Sequence, residues 1–234
     1  MKPIISLLAS AGLALGAVAA APAAAQVEGK IATADRTRSL IGTTALQNAF
    51  QQIETTYSAQ IEQIRAKQQE RQTLLKQFDV NGDSEIDDRE YEAVEASPQF
   101  AQLQTLDQEL NQLSNQIELA RVFVVEQIAQ QYTPAVREVV QQQQIKLVLN
   151  PGALAVPSQE ADITQAIVTL LNTKVPSVGV VPPQGYQPSR AGVQLTQDIE
   201  QTLQVISVLR RQQQQQQQQG QQQQPANPQV PQGR

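Results

Sequence analysis

The chain has 234 residues, a formal net charge of −5, no Cys, no His, no Trp and only 3% aromatic residues. This composition excludes disulfides, ordinary zinc or haem ligation, and nucleophilic catalysis by Cys or a Ser-His-Asp triad. The negative charge argues against nucleic acid as a partner, and the shortage of rings argues against a base-stacking platform or an aromatic ligand pocket.

The segment 1–26 has the pattern of an export signal. Lys2 supplies a basic start, residues 4–20 are apolar, and residues 23–25 form a small-residue cleavage pattern before Gln26. The alternative is a membrane anchor, but about 17 apolar residues followed by a cleavage pattern favour a signal peptide. We therefore predict an exported protein with no membrane span. Its net charge is about −6 after cleavage, because the signal holds one Lys and no acidic residue.

The segment 30–44 predicts a short strand and a turn before the first long helix. Lys30 to Ala34 alternates in the manner of a strand, Gly42 lies in the turn, and Thr43 or Thr44 can cap the helix that follows.

Two long amphipathic helix patterns then bracket a short acidic turn. Apolar residues recur every three or four positions on both sides of the turn, which predicts a narrow apolar seam on each helix. Two such helices predict an antiparallel coiled-coil hairpin over residues 45–131, with arms of about 33 residues and about 50 Å. The seams consist of Leu46, Phe50, Ile53, Tyr57, Ile61, Ile64, Leu75 and Phe78, and of Leu103, Leu106, Leu110, Leu113, Ile117, Ala120, Val124 and Ile128.

The helices of this hairpin have recognisable ends. The first is predicted from about Ala45 to Gln77, and the second starts weakly near Asp88 and is capped again at Ser97-Pro98. Gln68 and Gln72 have two interpretations. They either dilute the seam and let the arms open, or they are ordinary solvated positions in a Gln-rich chain.

The turn, residues 79–90, fits a twelve-residue EF-hand calcium loop. Acidic and amide side chains fall at positions one, three, five, nine and twelve, a backbone carbonyl is expected at seven, and Ile86 is the usual apolar residue at eight. Ser84 departs from the Gly expected at position six, and this departure lowers the affinity by about tenfold. The predicted ligands of a weak, structural calcium ion are Asp79, Asn81, Asp83, Glu85, Asp87 and Glu90. The alternative is a solvated acidic turn without an ion.

Beyond the hairpin, the sequence predicts the remainder of a small body. Ala135 to Gln144 are helical, Ile145 to Leu149 form a strand ended by Asn150-Pro151-Gly152, and Ala153 to Val156 form a second short strand. Ala161 to Asn172 form an amphipathic helix. The fold class is therefore α+β, with a small sheet contributed by segments 27–44 and 132–175. So few strands bury little apolar surface, which favours oligomerisation through the sheet.

The last third of the chain changes character. Residues 176–192 are rich in Pro and Gly and predict a linker, and residues 193–211 predict an amphipathic helix. That helix is either a coiled-coil partner or a loosely packed appendage. Residues 212–234 are nearly all Gln and Pro, which predicts disorder.

The order of these elements resembles the Skp/OmpH family of periplasmic chaperones. The resemblance covers about residues 28–175. It is carried by "GKIATADRTRSLIGTTALQNAF", by the two helices, and by "YTPAVREVVQQQQIKLVLNPGALAVPSQEADITQAIVTLLN". Its most specific part is the block Ile145 to Leu171, a strand, a polar turn and an "ADIT" helix start. Several family members are strongly basic whereas this chain is acidic, and the linker and tail lie outside the family pattern.

The resemblance implies a periplasmic homotrimer whose strands form a central body and whose hairpins enclose a cavity for unfolded outer-membrane proteins. It implies that no ATP is used and that there are no catalytic residues, so the chain is expected not to be an enzyme. The alternative from another class is a calcium-binding structural or scaffolding coiled coil of the cell envelope. In that case the helix 193–211 and the Gln-rich tail are its attachment points.

Overall fold

The computed structural model describes residues 29–83, 85, 87–95, 97–156 and 158–222. The predicted signal peptide 1–26 and the last part of the tail, 223–234, lie outside the described residues, as do Ser84 and Ile86 of the predicted calcium loop. The described part contains a small sheet and a set of helices, which agrees with the predicted α+β class.

The sheet is two parallel strands that come from opposite sides of the hairpin in the sequence. Strand β1 (Lys30–Thr33) pairs with β2 (Ile145–Leu149), with Ile31 opposite Leu147 and Thr33 opposite Leu149. An isolated bridge joins Thr33 to Asp162. The strand predictions at 30–34 and 145–149 are therefore confirmed.

The predicted strand at Ala153 to Val156 is wrong. Pro151–Ala153 form one turn of 3₁₀ helix, in which the Asn150 side chain accepts a hydrogen bond from the Gly152 N–H at 2.9 Å. Proline at the start of this turn and the Asn side chain favour a turn over a strand. The bridge to β1 that we expected from this segment is made by Asp162 instead.

Three helices complete the body. These are α1 (Arg36–Ile41), α6 (Tyr132–Gln143) and α7 (Thr164–Lys174), of which α6 and α7 pack on the sheet and α1 packs on α7. The helix start expected in the "ADIT" block is present, because the Asp162 carboxylate accepts a hydrogen bond from the Thr164 N–H at 2.9 Å. A buried cluster joins the sheet to α6 and α7. It consists of Ala32, Ala34, Ala135, Val139, Ile145, Ile163, Ile167 and Leu171.

The first arm of the hairpin is two helices, α2 (Thr44–Thr56) and α3 (Ser58–Phe78), where we predicted one helix from Ala45 to Gln77. The break is at Tyr57, whose φ of −105° and ψ of 20° leave the helical range. Two Thr residues and a Tyr in succession have poor helix propensity, which explains the position of the break. The Tyr57 N–H still donates to the Ile53 carbonyl, so the break is a kink and the chain direction is kept.

The second arm begins at the short helix α4 (Asp88–Glu95) and continues as α5 (Pro98–Ala129). The predicted cap is confirmed, because the Ser97 hydroxyl accepts a hydrogen bond from the Phe100 N–H at 3.3 Å and Pro98 is the first helical residue. Helix α5 returns antiparallel to α2 and α3 and leads into α6 of the body.

The C-terminal segment packs on the root of the arm, so its interpretation as a loose appendage is wrong for the first half of the helix. Helix α8 spans Arg190–Gln222 and is longer than the predicted 193–211, because Gln is a good helix former. Leu195 and Ile199 of α8 are buried against α1 and α5. Residues 176–189, which we call the strap, are also packed, since Val180 is buried.

Candidate functional site: the helical arm

The root of the arm, next to the body, has a continuous apolar core. We call this core the root cluster. Its largest fully buried members are Leu40 of α1, Ile53 of α2, Val125 and Ile128 of α5, and Ile199 of α8. Val122 and Val125 are buried although they lie off the predicted seam of α5. They are covered because elements pack on more than one side of α5 here, which a two-helix pattern does not predict.

The middle of the arm, residues 65–73 on α3 and the facing part of α5, is joined by charged side chains. Lys67 pairs with Glu109, and Arg71 pairs with Asp107 at 2.7 Å. Surface pairs of this kind contribute about 0.2–1 kcal/mol each, so they align the helices without locking them together. The arm therefore has a weakly held stretch between two apolar ends.

Gln68 and Gln72 lie exposed on α3 and do not face α5. Their interpretation as diluted seam positions is therefore wrong, and their alternative interpretation as solvated positions is confirmed. The apolar seam is interrupted at this level because Lys67 and Arg71 occupy the half-buried positions next to α5.

The tip of the arm has its own small core, which we call the tip cluster. Leu74, Phe78 and Leu106 are buried together, and Leu75, Val94 and Leu103 pack at its edge. Tyr91 and Phe100 meet edge to face with ring centroids 5.8 Å apart, which helps to hold α4 against the start of α5. We predicted Leu75 as the seam residue, but the structure buries Leu74 and leaves Leu75 at the edge, because Leu74 continues the spacing of three or four residues that runs through Lys67 and Arg71.

A cleft of about 440 Å³ opens at the Tyr57 kink between the first arm helices and α5. Phe50, Ile53, Ile61 and Ile117 line its apolar part. Its other lining residues are Glu54, Ser58, Glu62, Arg65 and Arg121. Phe50 and Ile61 are only half-buried, so the cleft offers apolar surface to the outside.

The predicted calcium ligands are brought into one loop that joins α3 to α4. The Gly82 N–H donates to Asp79 Oδ1 at 2.7 Å, the Asp83 N–H to Asn81 Oδ1 at 2.8 Å, and the Glu85 N–H to Asp83 Oδ1 at 2.9 Å. The side chains at positions one, three and five thus fold the loop on themselves, as short polar side chains do in tight turns. Gly82 adopts a φ of 78°, a backbone conformation that favours Gly.

Glu90, at position twelve, lies in the first turn of α4 and accepts hydrogen bonds from the backbone of this loop. Its carboxylate is buried and accepts hydrogen bonds from the N–H groups of Val80 at 2.8 Å, Asn81 at 3.1 Å and Asp87 at 3.2 Å. Asp87 caps α4 by accepting from the N–H groups of Arg89 and Glu90. Among the described residues no three acidic side chains are gathered as metal ligands. Calcium binding stays a prediction.

A second polar centre, which the sequence did not reveal, ties α8 to the arm. The Glu126 carboxylate of α5 accepts hydrogen bonds from the Tyr186 hydroxyl at 2.8 Å, the Ser189 N–H at 2.8 Å and the Ser189 hydroxyl at 2.6 Å. We call Glu126, Tyr186 and Ser189 the latch. The only signal in the sequence is one acidic residue within the apolar run that ends α5.

The latch shifts the pKa values of Glu126 and Tyr186 in opposite directions. Burial acts to raise the pKa of Glu126, but the hydrogen bonds from Ser189 and Tyr186 outweigh it and leave that pKa below its ordinary value of 4.5. Burial, together with the bond to Glu126, raises the pKa of Tyr186 far above its usual range. Glu126 is therefore an ionised hydrogen-bond acceptor, and Tyr186 is a neutral donor, at neutral pH.

Next to the latch, Gln127 holds the strap through both ends of its amide. Its Nε2 donates to the Gly179 carbonyl at 2.9 Å, and its Oε1 accepts from the Gly179 N–H at 3.1 Å. Further along α8, Glu200 pairs with Arg121 at 2.9 Å. Nearby Glu118 has a raised pKa, because burial and the charge of Glu200 outweigh the opposing charge of Arg121. The strap and α8 are thus fastened to α5 by polar as well as apolar contacts.

The sheet leaves apolar surface uncovered in the single chain. Ile31 of β1 and Leu147 of β2, which are paired in the register, are 48% and 39% exposed. Two adjacent exposed aliphatic side chains on a sheet are a feature of surfaces that pack against another element or another chain.

A family model for "Outer membrane protein (OmpH-like)" matches residues 30–171, which is more than half of the chain. Among solved structures, that of a candidate OmpH-like outer membrane chaperone from Caulobacter crescentus CB15 is 14% identical. The alignment covers 77% of this chain and 98% of that one, with a TM-score of 0.41. No curated protein matches the chain.

Within the described residues, no helix combines the length and the apolar character needed to cross a membrane. The matched segment contains both strands, the whole hairpin and almost all of α7, and it leaves out the strap and α8. The resemblance seen in the sequence is confirmed, and the chain belongs to the OmpH-like family of outer membrane proteins.

Proposed function

We propose that this protein is a periplasmic, ATP-independent holdase that keeps unfolded outer-membrane proteins from aggregating. The observation that carries the proposal is the arm itself, which projects from a small body and offers an apolar cleft at its kink. Half-buried Phe50 and Ile61 provide contact surface that an unfolded chain can cover without any fixed sequence. Membership of the OmpH-like family supports the same role.

The cavity requires several arms, and we propose that three copies associate through the body. The two-stranded sheet is too small to be stable as an isolated sheet, and it exposes Ile31 and Leu147. Packing these residues against the same surface of other copies would bury them and place the arms around a common space.

Client release without ATP follows from the strength of the contacts. Each apolar contact made by an arm contributes little, so the client is held by the sum of many weak contacts and leaves when its own folding buries the same surface. The charged middle of the arm, with the pairs Lys67–Glu109 and Arg71–Asp107, can adjust its alignment at small cost and lets the space fit clients of different size.

The test is suppression of aggregation of a urea-denatured porin diluted into buffer without calcium, with one trimer equivalent of the protein. We expect suppression by the wild type and a loss of at least half of it in the double variant Phe50→Gln/Ile61→Gln. The matched control is Gln51→Ala/Gln60→Ala, next to the same positions on the helix. Sedimentation velocity reports the assembly. A wild-type protein that is a monomer or leaves the porin to aggregate would contradict the proposal.

A second proposal concerns the loop at the end of the arm, and it supports the alternative function of a calcium-binding structural protein. The favouring observation is that the first nine positions of the calcium loop lie between α3 and α4 and the last three form the first turn of α4, as in an EF-hand. We propose that a weakly bound calcium ion, held by Asp79, Asn81, Asp83, Glu85, Asp87 and Glu90, fixes the angle between the two arm helices.

Isothermal titration with calcium chloride tests this second proposal. We expect a dissociation constant of about 10⁻⁴ to 10⁻³ M, as in extracellular calcium modules. The expected effect of Glu90→Gln is loss of the binding heat, because the amide keeps one acceptor oxygen for the N–H groups of Val80 and Asn81 but removes the charge. Glu95→Gln, outside the loop, is the control. A flat titration at 5 mM calcium with the wild type refutes the ion site and leaves the holdase proposal unaffected.

A further inference from the structure

The outer half of α8 carries apolar side chains that no other described element covers. Val205 is 59% exposed, Val208 is 48% exposed and Leu209 is 52% exposed. They form one patch on α8, which we call the α8 stripe. Single exposed aliphatic residues need no explanation, but three neighbours on one side of a helix do.

The α8 stripe is a different face of the helix from the one that packs on the arm. A helix turns about 100° per residue, so Val208 and Leu209 lie about 60° and about 40° to either side of Val205. By the same geometry Ile199 and Leu203 point about 120° and 160° away from Val205. Ile199 is buried in the root cluster and Leu203 packs at its edge, so the arm cannot cover both faces.

The part of α8 that precedes the patch is fastened to the arm. The latch joins Ser189, which directly precedes α8, to Glu126 of α5. Arg121 of α5 pairs with Glu200 of α8, about one turn before the α8 stripe begins. Helix α8 runs antiparallel to α5 over this length, so the α8 stripe lies beside the arm. A surface that is presented on an anchored helix loses little conformational entropy when it is covered.

A second copy of this chain does not fit the α8 stripe as an occupant. Helix pairing between copies requires an apolar repeat sustained over about three heptads, whereas residues 212–219 are all Gln and end the pattern. Three half-exposed aliphatic side chains also fall far short of the roughly 800 Å² per partner that a stable interface buries.

The charges at the α8 stripe select the chemistry of its partner. Arg210 and Arg211 follow Leu209 directly, and neither forms an ion pair within the described part of the chain. The protein is acidic as a whole, so this is a local basic patch next to apolar side chains. An extended apolar segment with acidic residues at its ends complements both properties.

We propose that the α8 stripe is a contact site for extended apolar segments, flanked by acidic residues, of the unfolded client. The proposal rests on the holdase function and adds a binding surface outside the family-matched segment 30–171. The contact is small and therefore weak, which suits a chaperone that must release its client.

The test measures binding of a fluorescein-labelled peptide by fluorescence anisotropy with the full chain. The peptide has eight alternating Val and Thr residues and two Glu at each end. We expect Val205→Gln/Val208→Gln to weaken binding about tenfold. The matched control is Val156→Gln/Val181→Gln, which changes two Val residues that are 85% and 62% exposed elsewhere, and we expect no change. Gln is a better helix former than Val, so the test variant keeps α8 folded.

A second variant separates charge from apolar contact. Arg210→Glu/Arg211→Glu is expected to weaken the Glu-flanked peptide and to strengthen binding of the same peptide with Lys at its ends. Unchanged affinity in Val205→Gln/Val208→Gln overturns the proposal, and so does a wild-type protein that does not bind the peptide. A smaller assembly of that variant in sedimentation also overturns it, because the α8 stripe is then an interface between copies. Porin aggregation is scored separately, so failure of the holdase function is distinguishable.

Discussion

The root and the tip of the arm are built from the same helices but are held together differently. The root cluster draws buried side chains from α1, α2, α5 and α8, whereas the tip cluster has three buried side chains supported by α4. Between them the helices are joined mainly by surface ion pairs. The stability of a region follows how much apolar surface it buries, so the arm should be firm near the body and open locally at its end.

The largest expected effect is at the root. Ile128 is completely buried, and Ile128→Ala removes three methyl or methylene groups and leaves a cavity among helices that cannot all collapse. We expect a loss of about 3 kcal/mol in the free energy of unfolding, measured by urea denaturation. Leu119→Ala, at a half-buried position of the same helix, is the control and should cost much less. Equal losses would contradict the importance of the root cluster.

The next effect concerns the latch. A Cβ at position 192 would overlap the Glu126 carboxylate, so Gly192→Ala must displace the latch. We expect a loss of about 2 kcal/mol, the usual cost of overpacking, although Gly→Ala within a helix normally stabilises by about 1 kcal/mol. The comparison variant is Gln194→Ala, which gives the ordinary helix effect. The stability of both variants is compared by thermal unfolding. A Gly192→Ala protein that is more stable than the wild type would show that the Glu126 side chain moves aside at little cost.

A smaller effect is expected from pH, with opposite signs at two carboxylates of α5. The folded pKa of Glu126 is lowered, so its stabilisation is present above its ordinary pKa of 4.5 and is lost as the pH falls through the folded value. The folded pKa of Glu118 is raised, so its contribution is full below 4.5 and is lost as the pH rises through the folded value.

The measurement is the free energy of unfolding of Glu126→Gln and of Glu118→Gln, each relative to the wild type, between pH 7 and pH 3.5. On acidification, the free energy of unfolding of the wild type should fall relative to that of Glu126→Gln. Over the same pH range it should rise relative to that of Glu118→Gln. A change of the same sign relative to both variants would contradict the environments that we assign to Glu126 and Glu118.

The smallest global effect is expected at the tip. Phe78→Ala empties the tip cluster, but this region opens without the root, so we expect less than about 1 kcal/mol in global unfolding. The local effect is larger, because amide hydrogens of α4 should exchange at least tenfold faster. Hydrogen exchange followed by mass spectrometry measures both regions at once. Faster exchange in α5 near Ile128 would show that the arm unfolds as one unit.

Several features of the fold follow from local patterns in the sequence. The strands at 30–33 and 145–149 and the cap at Ser97 and Pro98 were predicted, because each depends on residues within a few positions of one another. The helix predicted from Ala161 begins three positions later, at Thr164. The two arms also follow, since a repeat of three and four residues is the direct mark of a helix with one apolar side.

The errors have two physical causes, which are contacts between residues far apart in the chain and one local turn. Val122 and Val125 are buried because other elements pack on more than one side of α5. A seam between two helices covers only one side of α5. Lys67 and Arg71, not Gln68 and Gln72, lie against α5, where they pair with Glu109 and Asp107. The predicted strand at 153–156 failed because proline and a side-chain hydrogen bond made a turn there.

The sequence alone determined the family, the α+β class and the presence of two long helical arms, because helix periodicity and turn chemistry are local properties. Only the tertiary structure decided that the strap and α8 belong to the arm. That result depends on Glu126 meeting Tyr186 and Ser189 about 60 positions later, and on α8 burying one apolar face while leaving another exposed. Such pairings depend on which surfaces meet in three dimensions, and no spacing within a single helix encodes them.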